Sequence, residues 1–108
     1  LPGREFRCGM ELALSIVGGK WKPLVLYHLG LAGKLRFGAL ERTLPGVSRK
    51  VLTRQLRELE KDGLVIRTVH AVVPPKVEYK LSGLGESAMP MLESLCRWGE
   101  EYYRRAVD

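Results

Sequence analysis

The stretch "SRKVLTRQLRELEKDGLV", Ser48 to Val65, decides the fold. Leu52, Leu56, Leu59 and Gly63 recur at i, i+4, i+7 and i+11, which predicts one buried face of an α-helix. Lys50, Thr53, Arg54, Arg57 and Lys61 fall on the opposite face, and Ser48 is a good N-cap. The charges run against the helix macrodipole. Arg49, Lys50, Arg54 and Arg57 load the first half, while Glu58, Glu60 and Asp62 load the second. A helix favours the reverse order by roughly 0.3–1 kcal/mol per charge. Cations placed where the isolated helix tolerates them least are offset if that end meets an anion.

The flanks give this helix a context. "FGALERTL" (37–44) predicts a third helix, stopped by Pro45-Gly46, so only "PGV" separates it from the helix at 48–62. That is a helix-turn-helix spacing. After Gly63 the period changes to two. "VIRTVHAV" (65–72) is rich in β-branched residues, and "KVEYKL" (76–81) alternates, with Val77, Tyr79 and Leu81 on one side. Pro74 and Pro75 mark the loop tip. The pair reads as a two-stranded ribbon that must pack on helices to be stable.

Upstream, "MELALSIV" (10–17) is a helix apolar on more than one face, ended by Gly18-Gly19. In "KWKPLVLYHLGLAG" (20–33), Trp21, Leu24, Val25, His28 and Leu29 form a stripe, with Pro23 in the first turn. "KLRF" (34–37) is a short extended link. The last segment carries Leu84, Ala88, Met91, Leu95, Trp98 and Tyr102 at helical spacing, and Pro90 kinks or divides it. The order is four helices, a ribbon and a long helix. The expected fold class is α+β, mostly α: one winged helix-turn-helix domain over 1–108. Its recognition helix is at about 48–62 and its wing at about 65–81. Additional dimerisation helices lie at about 9–17 and 83–107.

The chain has 108 residues, 45% hydrophobic and 28% charged, with a formal net charge of +6. One domain with a modest core fits that length, and the basic balance suits a polyanion. No apolar run approaches the roughly 18 residues of a membrane span, so no membrane partner is expected. The start lacks the apolar core and cleavage site of a signal peptide. Cys8 and Cys96 are too far apart in sequence to form a zinc-spaced pair. A cytoplasmic, disulfide-poor protein is the default reading.

Function follows from polarity. A recognition helix enters the major groove N-terminus first, where its amides and cations meet phosphates and base edges. A basic face that is merely solvated is the plainer alternative. Polarity, N-cap, turn and wing agree on double-stranded DNA. A winged-helix protein-interaction module without specific DNA binding is the other function class. No enzyme is expected. "GGKW" fails the phosphate-loop pattern, since position 14 is Leu and position 21 is Trp. His28 reads as a core residue and His70 stands alone on a wing strand. The acids at 58, 60 and 62 read as a solvated helix end. No cofactor, metal or catalytic set is apparent.

The chain resembles the HxlR-type regulators, a branch of the MarR-like winged-helix transcription factors. The matching features are Cys8, "GGKWKPLVLYHL" (18–29), "RFGAL" (36–40), "LPGVSRKVLTRQLRELEKDGLVIR" (44–67), "PPKVEYKLS" (74–82), "LG" (84–85) and "WG" (98–99). They run nearly end to end and are specific by their order and spacing. The resemblance implies a dimeric bacterial transcription regulator. Two departures are visible: Ala39 stands where the family usually has an acid, and an aromatic common near His70 is missing.

Carried onto this chain, the DNA-binding candidates on the recognition helix are Ser48, Arg49, Lys50, Thr53, Arg54 and Arg57. Arg and Lys suit guanine O6/N7 and phosphates, and Thr suits a base edge or thymine methyl. Lys20, Lys22, Arg36, Arg67 and Lys76 are flanking candidates for the backbone, and for them simple solvent exposure is the competing reading. The apolar first helix and the Met89–Tyr103 stretch of the last predict a homodimer. That dimer would set two recognition helices about 34–36 Å apart on a pseudo-palindromic operator. Cys8 precedes the first helix beside Arg7 and near Arg4, a setting that favours thiolate, and family members often carry a cysteine there. It is a candidate thiol sensor for an oxidant or small electrophile, and equally a candidate packing residue. Cys96 reads as packing beside Leu92 and Leu95.

Overall fold

Residues 3–108 are described by a computed structural model; residues 1–2 of the expected domain lie outside them. The chain runs α1 (Gly9–Val17), α2 (Trp21–Ala32), β1 (Lys34–Arg36), α3 (Phe37–Thr43) and α4 (Arg49–Lys61). It continues with β2 (Val65–His70), β3 (Lys76–Leu81), α5 (Gly83–Glu86) and α6 (Met89–Val107). This is a winged helix-turn-helix, with α3 and α4 as the helix pair and β2–β3 as the wing.

The sheet has three strands, not the two of the expected ribbon. The order is β1-β3-β2, all antiparallel, with Leu35 opposite Tyr79 and Arg67 opposite Tyr79 on the other side. The "KLR" link thus takes up the free edge of β3. Three residues show too little alternation to be read as a strand from sequence alone.

Leucines fill the centre. Val25, Leu26 and Leu29 from α2, Leu40 from α3, and Leu52, Leu56 and Leu59 from α4 are all at most 2% exposed. Tyr79 and Leu81 close the core from the sheet and Leu92 from α6. Each such side chain contributes about 1.5–3 kcal/mol of burial. Two details differ from expectation. Leu26, outside the expected α2 stripe, is fully buried, while Trp21, Leu24 and His28 are only half-buried. Gly63 is exposed rather than part of the buried face of α4. It adopts φ +83, a left-handed conformation that suits glycine and ends the helix.

Pro90 divides the C-terminal segment. It sits in the first turn of α6, where its missing N–H costs nothing, and α5 is a separate short turn of helix capped by Ser82. No residue of α1 is buried, and Met10, Leu14, Leu95, Trp98 and Tyr102 are each more than half exposed. The first and last helices therefore carry apolar surface that this single chain does not cover.

Candidate nucleic-acid interface

The interface is built on α4. Ser48 caps it, its Oγ accepting from the Val51 N–H at 3.1 Å. No acid lies in its first turn. Leu52, Leu56 and Leu59 anchor one side in the core, which turns Arg49, Lys50, Arg54 and Arg57 outward; Thr53 is half-buried between them. Lys50, Arg54 and Arg57 form no ion pair among the described residues. Arg49 is held: its Nη1 lies 2.9 Å from Glu41 Oε1, and its guanidinium sits 4.7 Å above the Phe37 ring.

A cleft of about 480 Å³ separates α4 from the sheet, lined by Phe37, Arg49, Thr53, Arg57, Glu60, Arg67, Val77 and Tyr79, among others. Arg67 stands opposite Tyr79 in the β2–β3 register and shares its face, so the wing brings this cation to the basic side of α4. Lys76 is on the other face with His70 and Glu78, 3.9 Å from the Glu78 carboxylate. Arg36 ends β1 opposite Glu78, precedes the first turn of α3, and is exposed. Neither Lys76 nor Arg36 lines the α4 cleft. Lys20 is exposed beside the start of α2, its Nζ 4.6 Å above the Trp21 ring.

Lys22 departs from its expected role. Its side chain is only 12% exposed and its Nζ lies 3.3 Å from Glu58. It ties α2 to α4 instead of reaching outward for a phosphate. Glu58 and Asp62 are likewise not a free solvated helix end, since Asp62 is bound by Arg4. Among the described residues no group of His, Cys, Asp and Glu could hold a metal ion. No helix there is long and apolar enough to cross a membrane.

His70, at the end of β2, has a partner on the neighbouring strand β3. Its Nε2 lies beside Glu78 Oε1. Burial pushes the Glu78 carboxyl up, but the His70 hydrogen bond and the charges of Lys34 and Lys76 outweigh it and leave the group below its usual range. His28 meets Tyr27 edge-on, with ring centroids 5.5 Å apart.

Both cysteines are free and exposed. Cys8 is the N-cap of α1, and its carbonyl accepts from the N–H groups of Glu11 and Leu12. The cations expected to flank its thiol are occupied by carboxylates: Arg7 pairs with Glu11 at 3.1 Å and Arg4 with Asp62. Cys96 lies beside Leu92 and Leu95, as expected, but it is exposed rather than packed away. Its Sγ lies 3.7 Å from the Tyr27 hydroxyl and 3.8 Å from Glu100 Oε1. Hydrogen bonding to Cys96 is the main reason that the Tyr27 phenol is raised.

Sequence reasoning missed Glu41 and Phe37, which organise Arg49 from the preceding helix. Their spacing to Arg49 crosses the turn, so no single-helix periodicity reveals them. A helix-turn-helix with a basic, outward α4 and a sheet-borne arginine beside it defines a DNA-binding transcriptional regulator. The chain belongs to the HxlR-like helix-turn-helix family, whose pattern matches residues 16–107.

It is similar to the HTH-type transcriptional regulator YkvN of Bacillus subtilis, 48% identical over 99 residues that span 92% of this chain and 83% of YkvN. Among solved structures it is similar to the redox regulator HypR in its oxidised form. That match has a TM-score of 0.83 and 45% identity, covering 87% of this chain and 96% of HypR. It is also similar to diamide-treated YodB of B. subtilis, with a TM-score of 0.72 and 31% identity over 91% of this chain and 97% of YodB. These relatives are regulators and not enzymes.

Proposed function

We propose that the chain is a sequence-specific regulator that binds a pseudo-palindromic operator as a homodimer in the cytoplasm. The observation that carries this reading is the set of outward cations Lys50, Arg54 and Arg57 on one face of α4, which form no ion pair among the described residues, joined by Arg67 across the cleft. Arg54 and Arg57 read base edges, Lys50 and the amides of the first turn meet phosphates, and Ser48 and Thr53 add polar contacts. Lys20, Arg36 and Lys76 serve the flanking backbone. The homodimer forms through α1 and α6, whose exposed Met10, Leu14, Leu95, Trp98 and Tyr102 supply the apolar surface.

The same assembly responds to oxidants or small electrophiles through Cys8. Two observations support this: Cys8 is exposed at the start of α1, and the structural relatives include a redox regulator and a diamide-treated regulator. Oxidation joins the Cys8 sulfur to a second thiol, either a Cys8 or Cys96 from the second chain or a small cellular thiol. A change in α1 then moves both recognition helices together. A complete switch needs the two dimer arrangements to differ by about 5.5 kcal/mol in affinity for the modification.

A gel shift against promoter fragments, including DNA upstream of the protein's own gene, tests the regulator reading. Two protected half-sites one turn apart support it. Retention of an acidic protein partner with no preferred DNA overturns it in favour of an interaction module. Diamide treatment of wild type and Cys8→Ser tests the sensor. Loss of operator affinity in the wild type alone supports Cys8; equal loss in both places the sensitivity at Cys96.

A further inference from the structure

Arg49 differs from the other cations of α4. It is the first residue of the helix, where the macrodipole opposes its charge. Two side chains of α3 hold it. Glu41 Oε1 takes Nη1 at 2.9 Å, and the Phe37 ring lies beneath the guanidinium at 4.7 Å. Glu41 is 28% exposed and Phe37 packs against the core, so both holders are themselves fixed; the Arg49 side chain remains 72% exposed. Lys50, Arg54 and Arg57 have no such support among the described residues. A stacked guanidinium with one N–H edge occupied loses little rotamer freedom on binding and presents its other donors in a planar fork. That fork matches the O6/N7 edge of guanine.

We propose that Glu41 and Phe37 are positioning residues that pre-organise Arg49 to read a guanine, making α3 a determinant of sequence preference although it contributes no base contact. The inference rests on the operator-binding reading above. It also predicts an effect opposite to simple electrostatics. A carboxylate near DNA repels phosphate, so removing one ordinarily tightens binding to every sequence. Here its removal frees Arg49 and erodes discrimination.

The test uses a duplex that the wild-type protein selects from a randomised pool, together with every single base-pair change of it. Arg49→Ala is expected to lose about tenfold of discrimination at one base pair per half-site. Glu41→Gln loses discrimination at that same pair, and adds nothing further when Arg49→Ala is already present. Phe37→Leu behaves like Glu41→Gln, while Phe37→Tyr, which keeps the ring, retains the parent preference. Should Phe37→Leu fail to fold, the surface change Glu41→Gln still decides the matter.

Uniformly tighter binding by Glu41→Gln, with preference intact, makes Glu41 a mere counter-charge and overturns the inference. So does an equal effect of Glu41→Gln with and without Arg49. Selection of a duplex whose preferences survive Arg49→Ala sinks this inference but leaves the operator reading standing. Failure to enrich any duplex sinks both.

Discussion

The Arg4 guanidinium donates to both carboxylate oxygens of Asp62, at 3.0 and 2.8 Å, and so fastens the segment before α1 to the C-terminal end of α4. Arg4 also donates to the Ser15 carbonyl, so the same side chain spans α1 and α4. The hydrogen bond from Arg4 is the main reason that the Asp62 carboxyl lies below its usual range. An acid at a helix C-terminus is unfavourable alone; the cation offsets it.

This pair fixes a pH dependence. The folded-state value of Asp62 is depressed relative to the unfolded chain, so the stabilisation is present above the ordinary carboxylate range. It is lost as pH falls through the depressed value. Asp62→Asn is therefore expected to melt below wild type at neutral pH, and the gap should close in acid, below about pH 4. Thermal melts across pH check this; a gap that stays constant into acid would mean that the charge of Asp62 is immaterial.

Lys22→Ala is expected to lower stability by about 1 kcal/mol through loss of its pairing with Glu58. The dependence of DNA affinity on salt should stay unchanged, because the Lys22 ammonium faces Glu58 and not solvent. Denaturant unfolding and a salt titration of binding measure the two effects separately. A flatter salt slope with unchanged stability would return Lys22 to the DNA backbone.

Gly85 has no room for a side chain without a shift of its neighbours. A Cβ there would lie 2.2 Å from the Leu64 carbonyl oxygen, which accepts from the Ser82 N–H at 3.0 Å. Gly85→Ala must push α5 off the end of the sheet. The expected cost is about 1–3 kcal/mol, visible as a lower melting temperature. An unchanged melt would show that this junction yields freely.

The apolar face of α6 makes the proposed dimer testable. Leu95 is 55% and Trp98 66% exposed, and Trp98 stacks on Tyr102 with ring centroids 5.6 Å apart. Light scattering should give about twice the 12.2 kDa chain mass at micromolar concentration. The Leu95→Asp, Trp98→Asp double variant should give the single-chain mass, since buried tryptophan anchors carry on the order of 2 kcal/mol or more each. A wild-type monomer would contradict the arrangement.

Local pattern made much of this fold legible. The leucine spacing of α4, the Ser48 cap, the Pro45-Gly46 stop and the alternation of Val77, Tyr79 and Leu81 are properties of adjacent residues, and the elements stand there. What escaped were relationships across the chain. Lys34–Arg36 is a strand only because β3 offers it a free edge. Lys22 turns inward only because α4 places Glu58 over it. The same holds for Arg4 with Asp62 and Arg49 with Glu41, whose partners lie on different elements, where no period within one element applies. Cys96 and Leu26 were misjudged because a helical stripe gives a face, and tertiary packing decides which edge of that face is covered.

The central claim is that the outer face of α4 reads DNA. Fluorescence anisotropy with a duplex selected by the wild-type protein tests it through the Arg54→Ala, Arg57→Ala double variant. Both side chains are exposed, so the variant should fold as wild type. The expected result is a loss of about 1–3 kcal/mol in operator affinity for each arginine that reads a base, with relaxed preference at the positions read. Affinity and preference equal to wild type would contradict the assignment of α4 as the recognition helix.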